Sequence, residues 1–374
     1  PGAFLVTPQA NTQDQAITTR TTDGLSIVAG YNTVAGTGTR DSRSSGFRIE
    51  SGANVRKNSE YEEHLANDFF TARALKNETA LPILPKDSGQ IAIVAQNKLI
   101  LDSQFMVDAE LGGRGAIMDI TADNINIVNQ FNVTPTLGTL EVLASDLSEL
   151  NIDSLLLGGS RTRNAITGNT DLTIGAQSVV FSAGSKVQVS DMIAAATDLV
   201  KVEGGAELTA RGKVNTGDSR LNLSGDGALL RISGDKQVTL NRTNASGAKG
   251  DLIVAAGSRL SASESMLLDA SKSTTLDGDI LMDGGSLNLS ASAINMGEIP
   301  GAPSNALNLS NQKLLNLAVD ELVLNSRGTV SFYGNVGQVD GNNNPILGAD
   351  GLQTPVKFDR LVLNAPGFSG FGSS

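Results

Sequence analysis

The sequence predicts an all-β fold, a β-solenoid with loop insertions, on three observations. The first is a recurring phrase: two alternating apolar residues, a small residue, then after a short gap two more alternating apolar residues. Met118, Ile120, Ala122, Ile125 and Ile127 spell it, and Leu287, Leu289, Ala291, Ile294 and Met296 repeat it. With one more residue in the gap it returns at Ile91, Ile93, Ala95, Leu99 and Leu101, at Leu230, Ile232, Gly234, Val238 and Leu240, and at Leu322, Leu324, Ser326, Val330 and Phe332. Period-two alternation turns one face of each strand inward, and the small residue lets the backbone round a corner. Stacked corners make a solenoid. The second observation is 41 Gly against 10 Pro, many turn formers and few residues that would remove ladder donors. The third is an aromatic content of 4% with no Trp, which suits a narrow interior of aliphatic side chains.

In chain order, residues 1–56 alternate weakly and read as the start of the solenoid, with strand-like runs at Leu25, Ile27, Ala29 and at Phe47, Ile49. Residues 57–86 break the pattern. Leu65, Phe69 and Ala72 fall at helical spacing, and Ser59 with Glu62 resembles a capping box, so this segment reads as a loop insertion with a short helix. Residues 87–374 carry the strand phrases, punctuated by Asp226-Gly227, Asp277-Gly278 and Asp283-Gly284-Gly285. Their length corresponds to about fourteen rungs. Pro1 and the closing Gly370-Phe371-Gly372-Ser373-Ser374 read as cut ends of a longer chain that continues in both directions.

The formal net charge is −11, from 28 basic and 39 acidic residues among 374. The basic residues are scattered, Arg161 and Arg163 being the tightest pair, which argues against nucleic acid. No run of 18 apolar residues is present, so no membrane insertion is expected. Cysteine is absent, which removes disulfides, thiolate ligands and thiol nucleophiles.

Motifs that carry chemistry are sparse, and no catalytic or cofactor-binding residue is assigned. His64 is the single histidine and reads as a solvated loop residue beside Glu62 and Glu63. Gly217-Asp218-Ser219 looks like the start of a hydrolase motif, but no histidine follows residue 64 to complete it. Gly112-Gly113-Arg114-Gly115 opens like a calcium β-roll and lacks the acid two residues later. The metal candidates are Asp340, Asn342 and Asn344, oxygen ligands at alternate positions of the kind calcium takes. An Asp/Asn-rich turn is the plainer reading there, and likewise for Asp277, Asp279 and Asp283.

Gly285 to Gly297, Gly112 to Ile120, Thr329-Val330-Ser331-Phe332-Tyr333-Gly334 and Leu361-Val362-Leu363-Asn364-Ala365-Pro366-Gly367 together resemble the rung phrases of large bacterial exoproteins of the filamentous haemagglutinin family. The likeness covers about residues 85–370. It implies a right-handed parallel β-helix, exported by two-partner secretion through a dedicated outer-membrane transporter. The chain is then an internal shaft segment of an extracellular adhesin on the bacterial surface. Its expected partners are that transporter, cell-surface glycan or protein receptors, and neighbouring copies of itself. The alternatives on the same fold are a β-helix polysaccharide lyase or hydrolase and a phage tail fibre, because fold alone does not choose among them.

Overall fold

The structure, a computed structural model, describes residues 4–34, 37–58, 64–102, 105–134, 136–164, 166–212, 214–298 and 306–372. The fold is all-β: short strands dominate, with four short α-helices and one 3-10 helix among the described residues. The chain divides into two units, Pro1–Leu84 and Pro85–Ser374.

The first unit differs from the solenoid start expected over residues 1–56. Phe4–Gln13, Ser45–Ser51, Ser26–Gly30 and Thr19–Arg20 form a four-stranded antiparallel sheet in that order. Thr19–Arg20 and Ser26–Gly30 are separated by only Thr21 to Leu25, too short a link for a parallel crossover, so they close as a hairpin. Within 57–86 a helix forms at Ala66–Lys76. The proposed cap at Ser59 and Glu62 lies outside the described residues. The expected apolar face is not buried: Leu65 and Phe69 are exposed, and Ala74 is the helix's buried residue.

The second unit is organised by register. Sheet I has nine strands in chain order: Gln90–Val94, Ile117–Thr121, Ser154–Leu157, Asp191–Ala196, Ala228–Ser233, Ser265–Ala270, Ser286–Ala291, Glu321–Ser326 and Arg360–Asn364. Ile93, Ile120, Leu157, Ala194, Leu230, Leu268, Leu289, Leu324 and Leu363 stand opposite one another across all nine. Sheet II, of seven strands, answers with Leu99, Val142, Ile127, Phe181, Val202, Val254 and Leu276 in one row. Sheet III, of four, adds Val187, Leu208, Leu260 and Ile280. These rows fill one continuous aliphatic core. Each fully buried Leu or Ile contributes about 2 kcal/mol through area removed from water. Ser286–Ala291 leads straight to Ile294–Gly297, as the phrase predicts, with Ala291 buried at the corner.

Two departures shape the outside of sheet I. The strand Ala228–Ser233 runs antiparallel to both neighbours. The phrase at Leu230–Leu240 therefore does not round a corner like its copies. Leu230 and Ile232 enter the main core, whereas Val238 and Leu240 pack in a second core with Leu172, Leu221 and Leu267. That second core lies beneath sheet IV, formed by Gly159–Arg163, Asn169–Ile174, Arg220–Ser224 and Thr239–Thr243. Gly158 marks the point where the chain leaves sheet I for sheet IV. Its φ is +94°, and a Cβ there would stand 2.1 Å from the Ala195 carbonyl oxygen. Hairpins and excursions of this kind consume the length that the even-rung reading assigned to fourteen turns, so sheet I has nine strands.

Candidate functional site

Sheet IV covers the outer face of sheet I only in part. The outward row Leu156, Ile193, Arg231 and Leu267 lies beneath it. The same row then continues as Asn288, Val323 and Val362, where no strand of sheet IV reaches. A cavity of about 660 Å³ results. Its wall is the edge strand Thr239–Thr243 and its floor is the outer face of the last three strands of sheet I.

The floor is polar and ordered. Asn364 Nδ2 donates to Asn325 Oδ1 at 2.7 Å, and Asn325 Nδ2 donates to Asn288 Oδ1 at 2.8 Å, an amide ladder across three strands. Ser290 Oγ joins it through Asn288 Oδ1 at 3.3 Å. At one end Glu321 accepts from Ser286 Oγ at 2.9 Å and pairs with Arg360. At the other, Asp269 is buried and held by Arg242, at 2.6 Å, and by Arg327. Arg242 also donates to the Gly225 carbonyl at 2.8 Å, which pins its side chain beneath its own strand.

Under sheet IV the outer face holds a charged network instead. Arg161 donates to Asp119 through Nε at 2.8 Å and through its backbone N–H at 2.9 Å, and to Ser154 Oγ at 2.6 Å. Ser154 Oγ donates to Asp191, and Arg231 pairs with Asp191 at 2.8 Å. Arg231 finishes on Ser265 Oγ at 3.1 Å and Ser233 Oγ at 2.9 Å. Every acid here meets a base, and the remaining guanidinium donors find hydroxyls or carbonyls, as buried charges require. Composition alone hides this network. The signal was a lone charge in an otherwise apolar strand: Asp119 between Met118 and Ile120, Arg231 between Leu230 and Ile232, Asp269 between Leu268 and Ala270.

The residues singled out in the sequence take structural places. Asp340 Oδ1 accepts the backbone N–H groups of Asn342, at 2.8 Å, and Asn344, at 2.9 Å. Asn344 Nδ2 reaches Oδ2 at 3.1 Å. The N–H and side-chain amide of Asn344 and the N–H of Asn342 hold the Asp340 carboxyl below its ordinary value. The three candidates thus come together in one turn in which both carboxylate oxygens of Asp340 accept protein donors. Asp277 is bound by Lys313 at 2.9 Å. Among the described residues no group of three or more acidic or histidine side chains is spaced to hold a metal ion. Arg114 of the β-roll-like run clamps Asp87 through Nε at 2.9 Å and through its N–H at 2.8 Å, and holds that carboxyl below the usual range. Asp218 is tucked under Thr170, whose hydroxyl it accepts. Burial pushes the Asp218 carboxyl up against that bond and against Arg161. His64 packs against Phe69 with ring centroids 5.7 Å apart.

Comparison with protein-family models, with curated proteins and with solved structures finds no match.

Proposed function

We propose that residues 85–374 form a right-handed parallel β-helix and that the chain is a non-enzymatic shaft segment of a large secreted bacterial adhesin. One observation carries this reading. The chain passes directly from a strand of sheet I to a strand of sheet II at Ile117–Thr121 to Asn124–Val128, at Asp191–Ala196 to Leu199–Val202 and at Ser265–Ala270 to Ser273–Leu276, and Asn124–Val128, Ser178–Phe181, Leu199–Val202, Asp251–Val254 and Ser273–Leu276 stack in parallel register in sheet II. A parallel connection of this kind is right-handed in nearly all proteins. Such a stack grows by rungs and holds binding surfaces away from an anchor. The rest of the proposal follows the resemblance: export through an outer-membrane two-partner-secretion transporter, display at the extracellular cell surface, and attachment to glycan or protein receptors.

The test is attachment of the chain to whole cells and immobilised glycans, in calcium and in chelator, with the same acidic glycans assayed for cleavage. Attachment without new glycan ends is the expected result. Calcium-dependent cleavage, lost on Asp277→Ala or Asp340→Ala, would instead make the chain a lyase. A stable trimer in solution would favour a fibre of the phage-tail kind.

A further inference from the structure

The two edges of sheet IV are finished differently. At the Gly159–Arg163 edge the backbone is sealed by side chains. The Arg161 N–H donates to Asp119 Oδ2 at 2.9 Å, and the Arg161 carbonyl accepts from Gln90 Nε2 at 3.3 Å. At the Thr239–Thr243 edge no such seal exists among the described residues. The Thr239 N–H donates to Ser219 O at 3.2 Å, and the Thr243 carbonyl accepts from Gly225 N–H at 2.8 Å. These residues therefore face Arg220–Ser224, and strand alternation turns the N–H and C=O of Leu240 and Arg242 the other way, into the cavity. Open edges are normally blunted by Pro, a bulge or an outward Lys or Arg. This strand has no Pro and continuous register, and its arginine is tied down beneath it on Asp269 and Gly225.

We propose that this edge takes an extended segment of a partner protein as a fifth strand of sheet IV, with an acidic side chain over the groove. The added strand would lie on the floor at Asn288 and Val323. Alternate side chains would rest on the valines, and the others would face outward like Thr239, Asn241 and Thr243. Main-chain bonds to Leu240 and Arg242 supply affinity and the floor supplies selectivity, the division of labour of strand addition. Charge names the occupant's sign. The groove is lined by Arg242, Arg327 and Arg360 against Asp269 and Glu321, a local excess of positive charge in a chain of net charge −11. Asp269 is fully buried, while the Arg360 side chain, which pairs with Glu321 through Nη1, is 69% exposed, so its other guanidinium N–H groups can meet a second carboxylate. A glycan could use the amide ladder, but it would leave the edge donors and acceptors unpaired. The inference rests on the sheet edge and the groove beside it and does not depend on the shaft reading.

The probe is a blocked, fluorescently labelled heptapeptide alternating Val and Thr between terminal Glu residues. Two versions carry N-methyl groups on one or the other alternate set of residues. We expect saturable binding of the parent, loss of at least about tenfold on methylating the set that faces the edge, and little change on methylating the other, the scale of one or two hydrogen bonds. Leu240→Pro, which removes an N–H aimed at the cavity and none aimed at Arg220–Ser224, and Arg360→Glu should each weaken the parent at least about fivefold. Circular dichroism of both variants reports whether the fold is kept. No saturable binding of the parent at millimolar concentration overturns the proposal. So does equal sensitivity to both methylation patterns, or binding of an acidic oligogalacturonate in the absence of peptide binding.

Discussion

Asp191 and Arg231 meet at 2.8 Å, with side chains 1% and 2% exposed, at the boundary where sheet I reverses direction. The strands Asp191–Ala196 and Ala228–Ser233 are antiparallel with Asp191 opposite Ser233, so the pair is diagonal and both members point away from the main core. The reversal and the salt bridge thus belong to one arrangement. Removing the acid strands a guanidinium under sheet IV. Asp191→Ala should destabilise the second unit by about 3–5 kcal/mol, whereas the double change Asp191→Leu with Arg231→Met should recover most of that loss. Urea unfolding of the wild type and the two variants measures the difference. Equal losses for the single and double variants would show that the pair itself contributes the stability.

Leu289 tests the inward rows. It is fully buried between Leu268 and Leu324. Leu289→Asp places an unpaired charge in an aliphatic interior, at a cost of several kcal/mol. Sheet I places Ser286–Ala291 between Ser265–Ala270 and Glu321–Ser326, so hydrogen exchange should accelerate over these three strands while the distant Ile117–Thr121 keeps its protection. Uniform acceleration across sheet I would count against rung-wise packing.

Gly158→Ala probes the exit from sheet I. The φ of +94° alone costs a side chain about 1–2 kcal/mol, and a Cβ 2.1 Å from the Ala195 carbonyl forces the backbone to shift as well. A fall in melting temperature of several degrees is expected. Gly138→Ala, at φ +74° with open space around the Cβ, should cost only the conformational part.

Asp226 sets a pH limit on one loop. Burial alone would raise its carboxyl. The Ser246 hydroxyl and the backbone N–H groups of Gly247, Ser246 and Ala248 outweigh it and hold the carboxyl far below the usual range. A depressed native value stabilises the fold above the unfolded carboxyl's value of about 4, and that stabilisation fades as pH falls toward the native value. Exchange of the Ser246–Ala248 amides should therefore stay slow from neutrality down to about pH 4 and quicken, relative to Asp226→Asn, only below it. Similar exchange in wild type and Asp226→Asn at neutral pH would remove this role.

Calcium should leave the Asp340 turn unchanged. Its oxygens already accept protein N–H groups, so thermal unfolding in millimolar calcium and in chelator is expected to coincide. Asp340→Ala should loosen only the turn. A melting temperature that rises with calcium and loses the rise in Asp340→Ala would reinstate the site.

Much of this architecture is legible in alternation alone. The phrases at Met118–Ile127 and Leu287–Met296 place their five apolar residues in one core, because period two leaves a short strand one inward face. The phrase at Leu230–Leu240 has the same letters and a different fate, because local alternation carries no information about strand direction. The warning is visible afterwards in near-continuous apolar runs such as Ala228-Leu229-Leu230 and Met192-Ile193-Ala194, the pattern of strands covered on both sides. The groove was beyond reach of the sequence. It is defined by where sheet IV stops, and that depends on pairings such as Leu221 with Leu240.

The reversed strand also imposes a timetable. Along sheets II and III, Leu199–Val202 receives Asp251–Val254 directly and Glu207–Ala210 receives Arg259–Ala262 directly, as if nothing intervened. Sheet I is different: Ser265–Ala270 finds its partner only once Ala228–Ser233 has doubled back onto Asp191–Ala196. A chain laid down from its N-terminus has Ser178–Phe181 and Leu199–Val202 stacked in parallel on Asn124–Val128 by residue 202. It must then draw out and fold the segment to residue 250 before the template is whole again. A chain folding from its N-terminus therefore has to complete that excursion before Ser265–Ala270 can add to sheet I.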